Sequence, residues 1–250
     1  MKFIYSLHSE WLKTKRSAAS WLCLIGGFFI PLIYLIGFII NHKSINGYTP
    51  NIWEQYFMQL WTNMGVFLLP MGVILVSSLI TQMEYKNNTW KQVHTTPQSY
   101  TTIFFSKFSV ILLLTVKFFI FFNIGILLSG IIPCLLFDHQ FPKEGIPLVY
   151  FLKGNLKFFI TCLPIIAIQY LISLKYKNFL VSIGVGLVAL IGTLTGLSWE
   201  YIFISPYSFC VFNCMTAKKD VFNIYAASIL YFLAIMTINY ALYITKKEKG

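Results

Sequence analysis

Of 250 residues, 57% are hydrophobic, 18% aromatic and only 11% charged, and the mean hydropathy is +0.71. A soluble domain carries roughly 25% charged residues, so this composition excludes an ordinary water-soluble protein. The formal charge of +11 calls for no nucleic acid, because membrane topology and anionic lipid already account for such an excess.

Residues 1–18 place Phe3, Ile4, Leu7, Trp11 and Leu12 at helical spacing, with Lys2, Ser6, Ser9, Glu10, Lys13 and Arg16 opposite. The pattern predicts an amphipathic helix in the inner headgroup region, apolar face toward the acyl chains and lysines toward the phosphates. Such a helix is either a plain anchor or an anchor that also docks a partner. The apolar run that follows is longer than a signal-peptide core and has no small-x-small cleavage site, so the N-terminus is expected to be retained.

Six apolar stretches follow: 19–40, 57–81, 103–122 (running on to 129), 156–174, 179–197 and 222–244. A helix needs about 20 residues to cross a ~30 Å hydrocarbon core. The expected fold is therefore all-α, with six transmembrane helices in one domain over 19–250. No loop reaches the ~50 residues of a separate domain, so any ATP hydrolysis must come from another polypeptide. Twelve Lys and Arg residues fall on the side of both termini and of the connections 82–102 and 175–178; six fall on the other side. The positive-inside rule then puts both termini in the cytoplasm.

The connection 82–102 is the most informative. Residues 89–95 read as a short helix stopped before Pro97, and Ser99 or Thr101 as the N-cap of the third span. Trp90 and Val93 give that short helix one apolar edge. The tryptophan either lies back on the membrane interface or inserts into a partner. In the third span Lys117 lies ten residues past Lys107, about 15 Å along a helix and near the midplane. A charge there snorkels, pairs with another helix, or lines a substrate path. No carboxylate lies deep in a span, which disfavours an ion-coupled carrier.

The spans also contain Pro31, Pro70 and Pro164, expected kinks, and the small pair Gly192 and Gly196, a weak packing signal. The outer connection 198–221 is rich in aromatics and broken at Pro206. It reads as a re-entrant element or as interfacial anchoring. Cys210 and Cys214, four apart, behave as small apolar residues, with a disulfide or metal pair as the alternative. The four histidines are scattered at membrane edges, and no metalloprotease, hydrolase or phosphate-loop motif occurs. The chain is thus expected to be no enzyme and to hold no cofactor.

Two segments carry a family likeness: Ser9-Glu-Trp-Leu-Lys-Thr-Lys-Arg-Ser17, and Glu84-Tyr-Lys-Asn-Asn-Thr-Trp-Lys-Gln-Val-His-Thr-Thr-Pro97, with a lysine, Lys107, opening the third span. Over its full length the chain resembles a type-2 ABC exporter permease, most nearly the lantibiotic-immunity and bacteriocin-type permeases of bacterial cell membranes. The resemblance implies that 1–18 is an elbow helix and that 88–95 is a coupling helix seated on an ATPase. Thr89, Trp90, Lys91, Gln92 and Val93 would make that contact, Glu84 would lie at the transmission end of the second span, and 198–221 would close the pathway. It also implies two ATPase subunits carrying ATP and Mg, a second permease chain (identical or paralogous), and an antimicrobial peptide or other lipophilic cargo. A non-transporting scaffold or sensor subunit is the rival reading.

Overall fold

The computed structural model describes residues 2–40, 52–86, 99–136, 145–176, 178–214 and 223–245. Its elements are α1 (Lys2–Thr14), α2 (Ala18–Ile40), α3 (Ile52–Asn63), a π-turn (Met64–Leu68), α4 (Leu69–Lys86), α5 (Tyr100–Leu136), α6 (Leu148–Lys175), α7 (Phe179–Thr195), two 3-10 turns (Ile202–Ile204 and Pro206–Ser208), α8 (Phe209–Cys214) and α9 (Ile224–Thr245). No strand occurs among the described residues.

Among the described residues, five helical segments are long and apolar enough to cross a membrane: Ala18–Ile40, Trp53–Met83, Tyr100–Leu136, Leu148–Lys175 and Ile224–Thr245. The fifth expected span is α7, apolar but only 17 residues long. Helix α5 is the longest, with 37 residues, or about 55 Å at 1.5 Å per residue.

Side-chain contacts fix the directions. Helix α2 runs parallel to α5, with Ser20 meeting Lys117 and Pro31 meeting Gly125. Helix α3 runs against α5, with Tyr56 on Ser129 and Trp61 on Phe122. So do α6, through Asn155 on Asn123 and Tyr170 on Phe104, and α9, through Phe232 on Phe108 and Tyr240 on Phe104. Helix α7 runs against α4, with Ser182 on Ser78 and Gly186 on Ile74. This is the alternation that successive crossings require, and it gathers α1, the start of α5 and the ends of α6 and α9 at one end of the bundle.

The core is rich in aromatic side chains. Trp61 is fully buried, stacked on Phe158 at 4.2 Å and edge-on to Phe122 at 5.1 Å; Phe57 stacks on Phe151 at 4.3 Å. Pro31 and Pro164 lie inside otherwise continuous helices. Pro70 has a larger effect. It has no N–H to bond the Val66 carbonyl, and just before it the Leu69 N–H reaches back five residues to Met64 O, making the π-turn. At Gly65, within that turn, a Cβ would press on the Phe158 ring and approach Cys214 Sγ at 3.4 Å. The missing side chain lets α8 sit there, with Phe209, Cys210, Val211 and Phe212 all buried. Cys210 and Cys214 remain thiols, and Cys214 Sγ donates to the Cys210 carbonyl as one helical turn dictates.

Candidate functional site

The first turns of α5 hold together the two ends of the described chain. Ser99 Oγ accepts from the Thr102 N–H at 3.2 Å, so Ser99 rather than Thr101 is the cap. Thr101 instead shares a 2.8 Å hydrogen bond with the Tyr240 hydroxyl of α9. One turn on, the Tyr170 hydroxyl of α6 donates to Phe104 O at 2.9 Å. Next come the contacts to α1: Ser6 Oγ donates to Ser106 Oγ at 3.0 Å, and Lys107 Nζ donates to Glu10 Oε2 at 2.9 Å. Lys13 Nζ donates to the other carboxylate oxygen of Glu10.

This corrects the expected placement of Ser6 and Glu10, which turn to the protein rather than to the headgroups. The buried residues of α1 are polar, Ser6, Glu10 and Thr14, with Leu7 and Trp11 half-buried against the core, while Phe3, Ile4 and Leu12 are exposed. The physical reason is Lys107. It does not merely open the span but lies eight residues into α5 and is 1% exposed, and an ammonium so desolvated requires an anion. Burial raises the pKa of the Glu10 carboxyl, but Lys107 and then Lys13 outweigh it and hold it below its ordinary 4.5. The i, i+4, i+8 spacing of Ser6, Glu10 and Thr14 was the signal available in the sequence. Reading the helix by its apolar residues alone assigned Glu10 to the headgroups.

A second polar knot joins α4, α6 and α7. Gln169 is fully buried, and its Nε2 donates to Ser182 O at 2.7 Å, Ser182 Oγ at 3.0 Å and Ser78 Oγ at 3.1 Å. Ser173 Oγ donates to Gln169 O and also lies 2.7 Å from Ser182 Oγ. Sequence reasoning missed this group, because isolated Gln and Ser residues on four different turns carry no motif. Farther along, Asn123 and Asn155 exchange amide hydrogen bonds of 2.9 and 3.0 Å between α5 and α6.

Lys117 lies at the middle of α5 but beside the first turn of α2, where its Nζ donates to Ser20 Oγ at 2.6 Å and stands 5.6 Å from the Phe121 ring centre. No carboxylate of a described residue pairs with it. Around the seam with α4, a groove of about 420 Å³ is lined by Trp21, Ile25, Phe29, Met71, Leu75 and Phe118 among others, none of its lining residues charged. Glu84 falls in the last turn of α4. Thr89, Trp90, Lys91, Gln92 and Val93 lie outside the described residues, so the expected coupling helix is not brought into this geometry. Among the described residues nothing lies within 4 Å of where a Gly192 Cβ would sit, so that face packs on no described helix. Among the described residues no cluster of three or more His, Cys, Asp or Glu could hold a metal ion.

No curated protein matches the sequence. The family model of the ABC-2 family transporter protein matches residues 6–196, from the Ser6 contact of α1 through the end of α7. An all-helical bundle with membrane-length apolar helices, matched over most of its length by that model, is a membrane permease, and the chain belongs to the ABC-2 transporter family.

Proposed function

We propose that this chain is the permease subunit of an ATP-driven exporter that moves an amphipathic antimicrobial peptide, or another lipophilic cargo, out of a bacterial cell membrane. The family match over 6–196 carries the permease part of the reading. ATP and Mg would be held by two separate ATPase subunits, and a second permease chain, identical or paralogous, would complete the pathway. In this reading α7 is the fifth of six spans, the segment 198–214 is part of an outer re-entrant element, and both termini are cytoplasmic. The buried α8 supports the re-entrant assignment, since backbone that enters a membrane without crossing it must be covered by protein. The uncharged groove between α2 and α4 suits apolar cargo, and Lys117 would meet an acidic group along the path. Thr89 to Val93 would seat on the ATPase, with Trp90 and Val93 as apolar anchors and Glu84 at the transmission end of α4.

The test is affinity purification of the tagged chain in mild detergent. Stoichiometric recovery of an ATPase whose turnover changes with this subunit is expected, and repeated isolation of the intact chain alone would refute the reading. In the recovered complex, Trp90→Ala with Val93→Ala should abolish ATP-driven transport while membrane insertion is unchanged. Normal transport by that double variant would remove the coupling-helix assignment.

A further inference from the structure

Helix α1 is seated on α5 by its polar face, and this says what it moves with. A helix held only by lipid turns its polar residues to water and its apolar ones to the acyl chains. Here Ser6, Glu10 and Thr14 are buried, at 3%, 7% and 2% exposure, and two of them bond to consecutive residues of α5, Ser106 and Lys107. A buried ion pair adds little stability over an apolar contact, but it fixes one register, because sliding would strand a desolvated charge. The seam continues past the bend at Arg16, the one non-glycine with positive φ (62°) among the described residues. Lys117 meets Ser20, Gly27 lies against Phe121 and Phe122, and Pro31 sits on Gly125. Contacts with α1 and α2 are thus spread over about 28 Å of α5, from Ser106 to Gly125.

We infer that α1, α2 and α5 move as one rigid body, with Glu10 as the positioning residue that keeps α1 in register on α5. Displacement applied at the inner end of α5 then passes into the headgroup layer through α1, instead of being lost as sliding between them. The inference deepens the permease reading and rests on it for the source of the displacement.

The test uses the complex as purified, carrying Ser6→Cys with Ser106→Cys. The two hydroxyl oxygens are 3.0 Å apart, so a disulfide would staple α1 to α5 with little movement. The readouts are the rate of staple formation on oxidation and ATP turnover in vesicles of phosphatidylethanolamine and phosphatidylglycerol. Expected are rapid, near-complete stapling at the same rate in the nucleotide-free and vanadate-trapped states, and turnover within about twofold of the reduced protein. A stapled complex whose turnover falls by about tenfold or more and returns on reduction would show that α1 slides, and would overturn the inference. Adding Glu10→Gln should slow stapling, and the exchanged pair Glu10→Lys with Lys107→Glu should restore it. Failure of the exchanged pair to restore the rate would remove Glu10 as the positioning residue. If the reduced complex has no ATP turnover, the permease reading fails instead. Stapling still decides the register in that case, since slow or partial formation means α1 is not held on α5.

Discussion

At Gly27 the α2–α5 seam sets a glycine against the backbone of the facing helix, and this allows a sharp comparison. A Cβ there would lie 2.9 Å from Phe121 Cβ and 3.2 Å from both Phe118 O and Phe122 N. Two of those three atoms are backbone, so no rotamer change relieves the contact, and α2 must back away from α5 by about half an ångström or more to reach ordinary van der Waals distance. Overpacking of this kind costs about 1–3 kcal/mol, against about 1 kcal/mol gained when alanine replaces glycine inside a helix. Gly37, ten residues on in the same helix, has nothing within 4 Å of its Cβ position and should show the gain alone. Gly27→Ala is therefore expected to be less stable than Gly37→Ala by about 1–3 kcal/mol. The assay is reversible unfolding in mixed micelles titrated with sodium dodecyl sulfate, followed by helical circular dichroism. Equal stability of the two variants would refute the close seam.

Two further effects follow from the polar contacts. Gln169→Leu leaves Ser78 and Ser182 without their amide donor; hydrogen bonds between membrane helices average about 0.6 and reach about 1.7 kcal/mol, so the same titration should show a loss of about 1–2 kcal/mol. A variant as stable as the wild type would mean the knot contributes nothing. The pH dependence comes from Glu10, whose carboxyl lies below its ordinary 4.5 in the folded protein. The unfolded chain binds the proton first as pH falls, so the docking contribution of α1 is whole above about pH 4.5 and is lost as pH drops through the lowered value. The emission of half-buried Trp11, isolated as the difference from Trp11→Phe, should hold steady between about pH 8 and pH 5 and change only below about pH 4. A transition centred above pH 5 would contradict the assignment.

Much of the bundle was legible because the bilayer imposes one rule on every span. Residues 19–40 were expected to form a span and Ala18–Ile40 does so, since uninterrupted apolar composition over a membrane thickness leaves a helix as the low-energy state. The second span reads the same way, but its ends did not, because α3 extends to Ile52 and α4 to Lys86 through polar turns whose hydrogen bonds are made within the helix. Orientation of single side chains was far less legible. Apolar residues on α1 could face lipid or protein equally well, and only the burial of Lys107 on a helix nearly a hundred residues away decides which way Glu10 turns. Gly27 and Gly192 look alike in sequence, yet a Cβ on one would meet the backbone of another helix and a Cβ on the other would meet no described atom, since close approach is a property of the pair of helices.

The π-turn has a mechanical meaning for the loop that α4 and α5 flank. A helix whose hydrogen bonds keep one register behaves as a stiff rod, and α5 has no proline from Tyr100 to Ile132. The α3–α4 shaft has a compliant joint at Met64–Leu68, where the bonding register changes and Pro70 leaves one rung of the ladder empty. A load entering at Lys86 meets that joint before it reaches Asn63, while one entering at Tyr100 meets no such break before Pro133. The two rods leaving this loop are a spring and a strut.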